Sequence, residues 1–437
     1  MAAAVSDMLG IEKLKSSVEE DDEIVVLLGK QFRIDWRAEI SKIFWFTYRS
    51  GFPSMEPCGY SDDAGWGCML RSCQMLMATA LQRHLGEKRR MDIIQWFNDE
   101  PGEKCIYSIH NMVRCGLRYD MLPGEWYGPG VASHVLRDLC EMHDAALDDA
   151  HDLFMTVTSQ ERPLCEEDVL LSVTKPSSAE EETANTYSLE TPTSCDEDIQ
   201  HNFDPLLRPP PSIERQKQNA QKRTKAKRQR LESPWCKSAL IIIPLRLGLA
   251  KLDPIYFDAL LATLQFPQSL GFVGGRPRQA LYFIGSVSKQ LIGLDPHIVQ
   301  PATSNIFSKS HLDSLVCLQP RKVHLDAIDP SLALAFYCRD RNDFSDLSRR
   351  IKHLASLSNP PLFDIIQRRP KRRRQHTNST LSLPPLVPSG LAGTGAESHL
   401  DDDDDDTASS LNDDLLLDDD DDENVSTASN DDDFVLV

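Results

Sequence analysis

The residues with the clearest chemical potential lie in the string Asp63-Ala-Gly-Trp-Gly-Cys-Met-Leu-Arg71. Gly65 and Gly67 permit a tight turn and the close approach of another backbone. Cys68 then opens a segment, Cys68–Leu85, rich in Met, Leu, Ala, Gln and Arg, with Thr79 its one β-branched residue and Gly86 just past its end. That pattern predicts a helix. The unsatisfied N–H groups and the dipole of a helix start favour an anion, and a thiolate is one. A cysteine placed there should lose its proton early, as a nucleophile must. The plainer reading of Cys68 is a small packed residue behind a glycine turn. Cys73, further inside the helix, reads as core.

A thiol nucleophile needs a base, and the base needs an orienting group. Of twelve histidines, one sits two residues from a carboxylate at the end of an apolar run, Leu291-Ile-Gly-Leu-Asp-Pro-His297. In an extended chain, residues i and i+2 project to the same side. Asp295 can therefore bond one imidazole nitrogen of His297 and leave the other for Cys68. The alternative is a plain strand-ending turn, which Asp-Pro favours. The order of a cysteine, then a distant histidine on a strand, has the layout of papain-type enzymes. A metal site finds little support: Cys140-x-x-His143 has helical spacing, but no second pair accompanies it, and zinc takes about four ligands. No metal or cofactor is expected.

These residues need elements to hold them. Glu23–Leu28 reads as a strand and Arg37–Tyr48 as a helix with Ile40, Ile43, Phe44 and Thr47 on one stripe. Gly51–Gly67 reads as a loop, and Ile93–Phe97 and Val131–Met142 as helices. Later, Ala239–Ile243 is a buried-strand run, Tyr256–Leu264 a helix, Leu281–Val287 and Gln290–Leu294 a hairpin, and Leu332–Cys338 a strand. Asn342 is a candidate cap for a helix carrying Phe344, Leu347, Ile351 and Leu354. Helices gather in the first half and strands in the second, which predicts an α+β fold with an antiparallel sheet packed on helices.

Composition divides the chain. Residues 1–22 read as a flexible N-terminus, 23–155 as the helix-rich half of a catalytic domain, and 234–367 as its strand-rich half. Between them, residues 156–233 are crowded with Thr, Ser, Glu and Pro, then carry eight positive charges from Arg215 to Arg230. They read as one disordered insertion. Residues 368–437 read as a disordered tail, basic over Arg368–Arg374 and then acidic. From Asp401 to Val437 there are sixteen Asp, one Glu and no Lys or Arg, so the tail holds −17 of the net −20. That charge argues against a nucleic-acid binder. Eleven scattered Cys, no apolar run near the ~20 residues of a membrane span, and no signal-like start lead to the expectation of a cytoplasmic protein with free thiols.

The Gly-Trp-Gly-Cys-Met-Leu-Arg string, with Phe46-Thr-Tyr-Arg49 upstream, resembles the autophagins, the autophagy cysteine endopeptidases that process a ubiquitin-like modifier. Glu125-Trp-Tyr-Gly-Pro129, Ile243-Pro-Leu-Arg-Leu-Gly248, Pro267-Gln-Ser-Leu-Gly271, Gly274-Gly275, Tyr282-Phe-Ile-Gly285 and Leu294-Asp-Pro-His297 agree, in family order across both ordered halves. The resemblance implies a papain-like fold with a small auxiliary region, with Cys68 as nucleophile and Asp295 and His297 as its partners. It implies that Tyr48 helps hold the oxyanion and that Trp126 walls a narrow groove for a terminal glycine. It makes Pro267–Gly271 a loop that covers the site, and Pro267, Gln268, Gly274 and Gly275 substrate-binding residues. On composition alone, Tyr48 and Trp126 are ordinary aromatics and Pro267–Gly271 a plain turn. Leu281 stands where the family commonly has His, and Ser72-Cys-Gln74 replaces a more usual Cys-Gly-Gln.

The implied partner is the modifier, both as a free precursor and joined to phosphatidylethanolamine, which would bring a monomeric enzyme transiently to membranes. The last residues, Asp431-Asp-Asp-Phe434-Val-Leu-Val437, resemble a short modifier-binding motif, an extended peptide whose Phe434 and Val437 would fill pockets at a sheet edge. An inert solubilising tail is the alternative. The basic runs read as solvated linker charge, with nuclear-localisation or anionic-membrane patches as the other possibility. Two further readings of the chain stay open: a non-catalytic adaptor of the same fold, and a different acyl-transferring cysteine hydrolase.

Overall fold

The structure is a computed structural model that describes residues 23–146, 152–158, 163–175 and 213–369. Its centre is the apolar run at 238–246. Strand β7 (Ser238–Arg246) buries Leu240 and Ile242 in one core and Ala239, Ile241 and Ile243 in another. Alternate residues face opposite sides of a sheet, so a run apolar throughout needs cover on both faces. The Cys68–Leu85 and Pro129–Ala146 helices cover one face, and the Phe257–Leu264 and Arg341–Leu357 helices cover the other.

Around β7 the sheet has nine strands. β1 (Val25–Leu27) carries β2 (Lys30–Phe32) and pairs with β9 (Leu281–Val287). The main path runs β12 (Arg321–His324), β10 (Gln290–Leu294), β9, β8 (Ser269–Gly274), β13 (Ser331–Cys338), β7 and β5 (Leu153–Val157). Among the described pairs of this sheet, β5 with β7 is the one parallel pair. A second sheet joins β11 (Val299–Pro301), β3 (Tyr48–Met55) and β4 (Tyr60–Asp62) beside the first. A third, two-stranded, pairs β6 (Leu164–Cys165) with β14 (Ile365–Ile366). The α+β expectation holds.

The Cys68 helix runs from Cys68 to Leu85 as expected, with Gly86 at its end at φ 78°. Every residue from Cys68 to Leu81 is buried. A helix enclosed on all sides must satisfy its polar members internally. Arg71 does so through Asp63 (Nε to Oδ2 2.8 Å, Nη2 to Oδ1 3.0 Å), Asp99 (2.8 Å) and Gln74 (3.1 Å).

Several expected elements differ. The helix expected over Arg37–Tyr48 stops at Ile40. Beyond it, Trp45 N–H donates to Leu315 and Phe44 bridges to Val316, because this aromatic stretch finds extended partners from the far half of the chain. The loop expected over Gly51–Gly67 contains most of β3 and all of β4. The cap of the Arg341–Leu357 helix is Asp340, whose carboxylate takes the Asn342 and Asp343 N–H groups at 2.8 and 3.0 Å. Ser108 caps an unanticipated helix, Ile109–Gly116.

The single insertion expected over 156–233 carries described elements at both ends. β5 extends to Val157, β6 leads into a helix at Glu166–Val173, and the basic run lies on a helix, Ile213–Glu232. Lys, Arg, Gln and Ala are strong helix formers. The C-terminal end of this helix has docking partners: Lys227 pairs with Glu167 at 3.0 Å and Arg230 donates to Leu171 O at 2.5 Å. The expectations for 1–22, for the acidic tail and for Phe434–Val437 lie outside the described residues.

Candidate active site

Asp63 organises the turn before Cys68. Its carbonyl accepts the Gly67 N–H at 2.9 Å, and its carboxylate accepts the Arg49 N–H at 2.7 Å and the Arg71 guanidinium. A Cβ on Gly67 would stand 2.2 Å from Asp63 Oδ2, so only glycine fits there. Burial raises the Asp63 carboxyl, and Arg71 opposes that shift. The buried Asp63–Arg71 pair thus links the start of the Cys68 helix to the strand carrying Tyr48 and Arg49.

From the other half of the chain, β10 ends at Leu294 and delivers Asp295-Pro-His297. His297 Nδ1 lies 2.5 Å from Asp295 Oδ1, which also accepts the His297 backbone N–H at 3.0 Å. The second carboxylate oxygen accepts from Arg321 at 2.9 Å, and Trp45 Nε1 donates to the Asp295 carbonyl at 2.8 Å. Just beyond His297, β11 pairs in parallel with β3, setting Val299 opposite Tyr48, whose N–H donates to Pro296 O at 2.9 Å. The Tyr48 and His297 rings meet edge to face at 5.5 Å.

Cys68 meets both rings. The remaining imidazole nitrogen, Tyr48 Oη and the Ala280 N–H all bear on its sulfur. Neither His297 Nε2 nor Tyr48 Oη has a partner of full hydrogen-bond geometry, although both are buried. The contacts with sulfur are close enough to act electrostatically and looser than formed bonds, a common state of a site without substrate.

Burial by itself would raise the Cys68 thiol, but His297, the Ala280 amide and Tyr48 bring it below its ordinary value. Burial would lower His297, yet the Asp295 and Cys68 contacts push it up to about 9. Burial would raise Asp295, yet the His297 hydrogen bonds and Arg321 hold it down at about 2. Burial raises Tyr48, and its neighbour Cys68 adds to the shift, so the phenol keeps its proton as a donor. Sulfur and imidazole titrate as a pair that favours thiolate and imidazolium. That state combines an activated nucleophile with a proton ready for a leaving amine.

The family model described as the Peptidase C54 catalytic domain matches residues 34–350. The chain belongs to the peptidase C54, or autophagin, family. It is a cysteine endopeptidase, and its α+β fold is of the papain-like class. Relatives include "Cysteine protease ATG4A" of Homo sapiens, 33% identical over 400 residues that cover 86% of this chain and 89% of the relative. The Xenopus laevis protein of that name is 31% identical over 387 residues (83% and 86%), and "Cysteine protease ATG4B" of Gallus gallus 32% over 376 (80% and 86%).

Two clefts of this C54 peptidase meet at Arg278, one beside Trp66 and the other at His297. One, of about 580 Å³, is lined by Trp66, Met121, Glu125, Trp126 and Arg278 among others. Trp126 is half-buried there, and its buried Nε1 lacks a protein partner. The other, of about 740 Å³, holds His297, Gly274 and Gly275. The turn at residues 276–279 stands between the clefts. Arg278 lines both and adopts φ 64°, an uncommon conformation for a side-chain-bearing residue. A Cβ on Gly275 would approach Gln279 O to 2.5 Å, so glycine is needed for the turn to close.

Pro267 and Gln268 are not at this site, and Pro267–Gly271 does not cover it. Pro267 O accepts from Arg83, fifteen residues along the helix and roughly 22 Å from Cys68. Gln268 is buried and donates to Asp343 O and Asp346, and Ser269–Gly271 begin the fully buried β8. The apolar run 269–274 satisfies its backbone as a central strand, which excludes a movable loop. The turn beside Cys68 is 276–279.

Sequence reasoning also missed the positioning roles of Asp63, Arg71, Trp45 and Arg321, and the Ala280 amide. Asp63 and Arg71 were visible as types but not as a buried pair, and a backbone N–H leaves no signal in residue identity. Cys140 and His143 hydrogen-bond to Leu153 O (3.6 Å) and Tyr107 Oη (3.1 Å). Among the described residues, no group of three or more His, Cys, Asp or Glu is arranged for a metal.

Proposed function

We propose that this peptidase cleaves after a C-terminal-region glycine of a ubiquitin-like autophagy modifier, both from an extended precursor and from an amide with phosphatidylethanolamine. The observation that carries the reading is the meeting of Cys68, His297 and Tyr48, with His297 opening on one cleft and Trp126 walling a second. Cys68 is the nucleophile, His297 the base and acid, Asp295 its orienting partner, and Tyr48 a donor to the oxyanion. The thiolate attacks the glycine carbonyl, His297 protonates the departing amine, and water then hydrolyses the thioester. Cleavage of a peptide primes the modifier for conjugation, and cleavage of the lipid amide recycles it. Glycine suits the site because a side chain beside Trp126 and Trp66 would clash.

Cys68 is fully buried, so the 276–279 turn shifts when substrate enters. Gly274 and Gly275 are the substrate-binding residues beside that turn. Phe434 and Val437 add a second contact with the modifier, which deletion of residues 431–437 would weaken. The enzyme acts as a cytoplasmic monomer that meets membranes through its lipidated substrate; no described helix is long and apolar enough to cross one.

The test is a modifier precursor extended past its glycine, incubated with wild type and with Cys68→Ala. Mass spectrometry should find product ending at glycine with wild type alone. Cleavage by the variant would exclude Cys68, and cleavage elsewhere would exclude the glycine specificity.

A further inference from the structure

The 740 Å³ cleft on the His297 side has a charge pattern that peptide hydrolysis does not require. Lys251, Arg276, Arg278 and Arg321 line it, from three separate stretches of structure converging near one imidazole, with Arg276 and Arg278 on the same turn. Among the described residues, the side chains of Lys251, Arg276 and Arg278 have no hydrogen-bond or ion-pair partner, and Arg276 and Arg278 are exposed at the cleft mouth, where the Arg276 carbonyl accepts the Gln279 N–H. Two acids share the cleft: Asp326 lies 2.8 Å from His324 Nδ1, and Asp329 accepts the Ser331 N–H at 2.9 Å. Arg321 is the one cation of the four with a carboxylate partner, Asp295. Four cations against two acids, next to a proton donor, give the cleft an excess of positive charge that suits an anion.

Which side of the scissile bond this cleft serves follows from the chemistry. His297 must protonate the leaving nitrogen, so the leaving group lies toward His297 and the acyl side toward Trp126. We infer that the cleft binds the phosphodiester of a phosphoethanolamine leaving group, holding Lys251 and Arg276 against its anionic oxygens. This rests on the proposed reading that the enzyme cleaves glycine amides of the modifier. In ethanolamine phosphodiesters the phosphorus follows the nitrogen after two carbons and one ester oxygen, so amine and anion fall within one cleft. The step balances: Cys68 sulfur bonds to the glycine carbonyl carbon, the carbon–nitrogen bond breaks, and nitrogen takes its proton from the His297 imidazolium. Water then adds to the thioester carbon, giving one proton to His297 as sulfur departs as thiolate. The phosphate is not altered; its charge is used for binding and orientation.

The experiment uses the full chain and three water-soluble substrates without a membrane: the modifier carrying a peptide extension, glycine-linked ethanolamine, or glycine-linked glycerophosphoethanolamine. Wild type should cleave the phosphate-bearing amide about tenfold faster in kcat/KM than the ethanolamine amide, a preference that shrinks with salt. Lys251→Ala with Arg276→Ala should remove most of that preference. Inorganic phosphate and free glycerophosphoethanolamine, as competitors, distinguish a general phosphate site from one shaped for the headgroup. Equal rates on the two amides would overturn the inference, as would a preference that survives the substitutions. So would a loss equal on all three substrates, because the cations would then be holding an acidic surface of the modifier. Failure of wild type to cleave even the peptide extension would instead remove the underlying reading of the substrate.

Discussion

Cys68 and Cys73 sit five residues apart on one helix, both buried, yet they differ in chemistry. Burial alone acts on Cys73 and raises its thiol; Cys115 and Cys140 are likewise pushed up, to about 11 and about 12. Cys68 bears the same penalty, but His297, the Ala280 amide and Tyr48 overcome it. The first turn of the helix and its interior therefore differ less in enclosure than in what faces the sulfur. His297 comes from 229 residues away, the Ala280 amide from the end of a turn between strands, and Tyr48 from a strand 20 residues upstream. A helix start positions the thiol, and His297, Ala280 and Tyr48 set its chemistry.

The comparison breaks most directly by exchanging the two positions. Cys68→Ala should lower kcat/KM by at least about 10³, while Cys73→Ala should keep activity within about twofold. Comparable losses from both would mean that the helix, not its first turn, is what matters. Asp295→Asn should cost about 10²–10⁴ in kcat by releasing the His297 tautomer. It should also move the alkaline limb of the rate profile from near pH 9 toward 6.5, the ordinary histidine value. Because folded His297 holds its proton more tightly than the unfolded chain does, the stability it lends is complete below about pH 6.5. That stability is lost as pH rises through about 9, and chemical denaturation at pH 6 and 9.5 should show the loss. The carboxylate works in reverse: Asp295 stabilises above its ordinary 3.8, and that contribution is lost as pH falls through about 2.

Tyr48→Phe sharpens the contrast by removing one donor and leaving the ring; kcat should fall about 10²-fold with KM little changed. Iodoacetamide at neutral pH should label Cys68 and leave Cys73 unmodified. In His297→Ala the pH for half-maximal labelling should rise toward that of an ordinary thiol. The smallest effect belongs to Cys73→Ala itself, a loss of about 1–2 kcal/mol in chemical denaturation from the small cavity it leaves.

Much of the site was legible before folding. A glycine turn, a cysteine and a strong helix pattern identified the Cys68 helix to the residue, because its signals are local. The Asp295-Pro-His297 pairing was equally local, and its internal bond forms within three residues. Tyr48 was placed at the end of a helix and instead opens a strand, because its parallel partner, Val299, lies 251 positions away. Pro267 and Gln268 form a turn, as their types suggest, but Ser269–Gly271 open a buried strand, since the apolar residues that follow have two covered faces to fill.

Residue order alone determined where the reactive thiol stands on its helix, which carboxylate holds which imidazole, and that a doubly buried strand lies near 240. All three depend on neighbours a few bonds or one turn apart. Tertiary structure decided that sulfur and imidazole meet, that Ala280 lends its amide, and that Asp63 and Arg71 lock the turn behind them. It also decided that 276–279, rather than Pro267–Gly271, stands beside the thiol. Those outcomes depend on sheet register and on the pairing of buried charge, which arise only when distant segments compete for the same enclosed space.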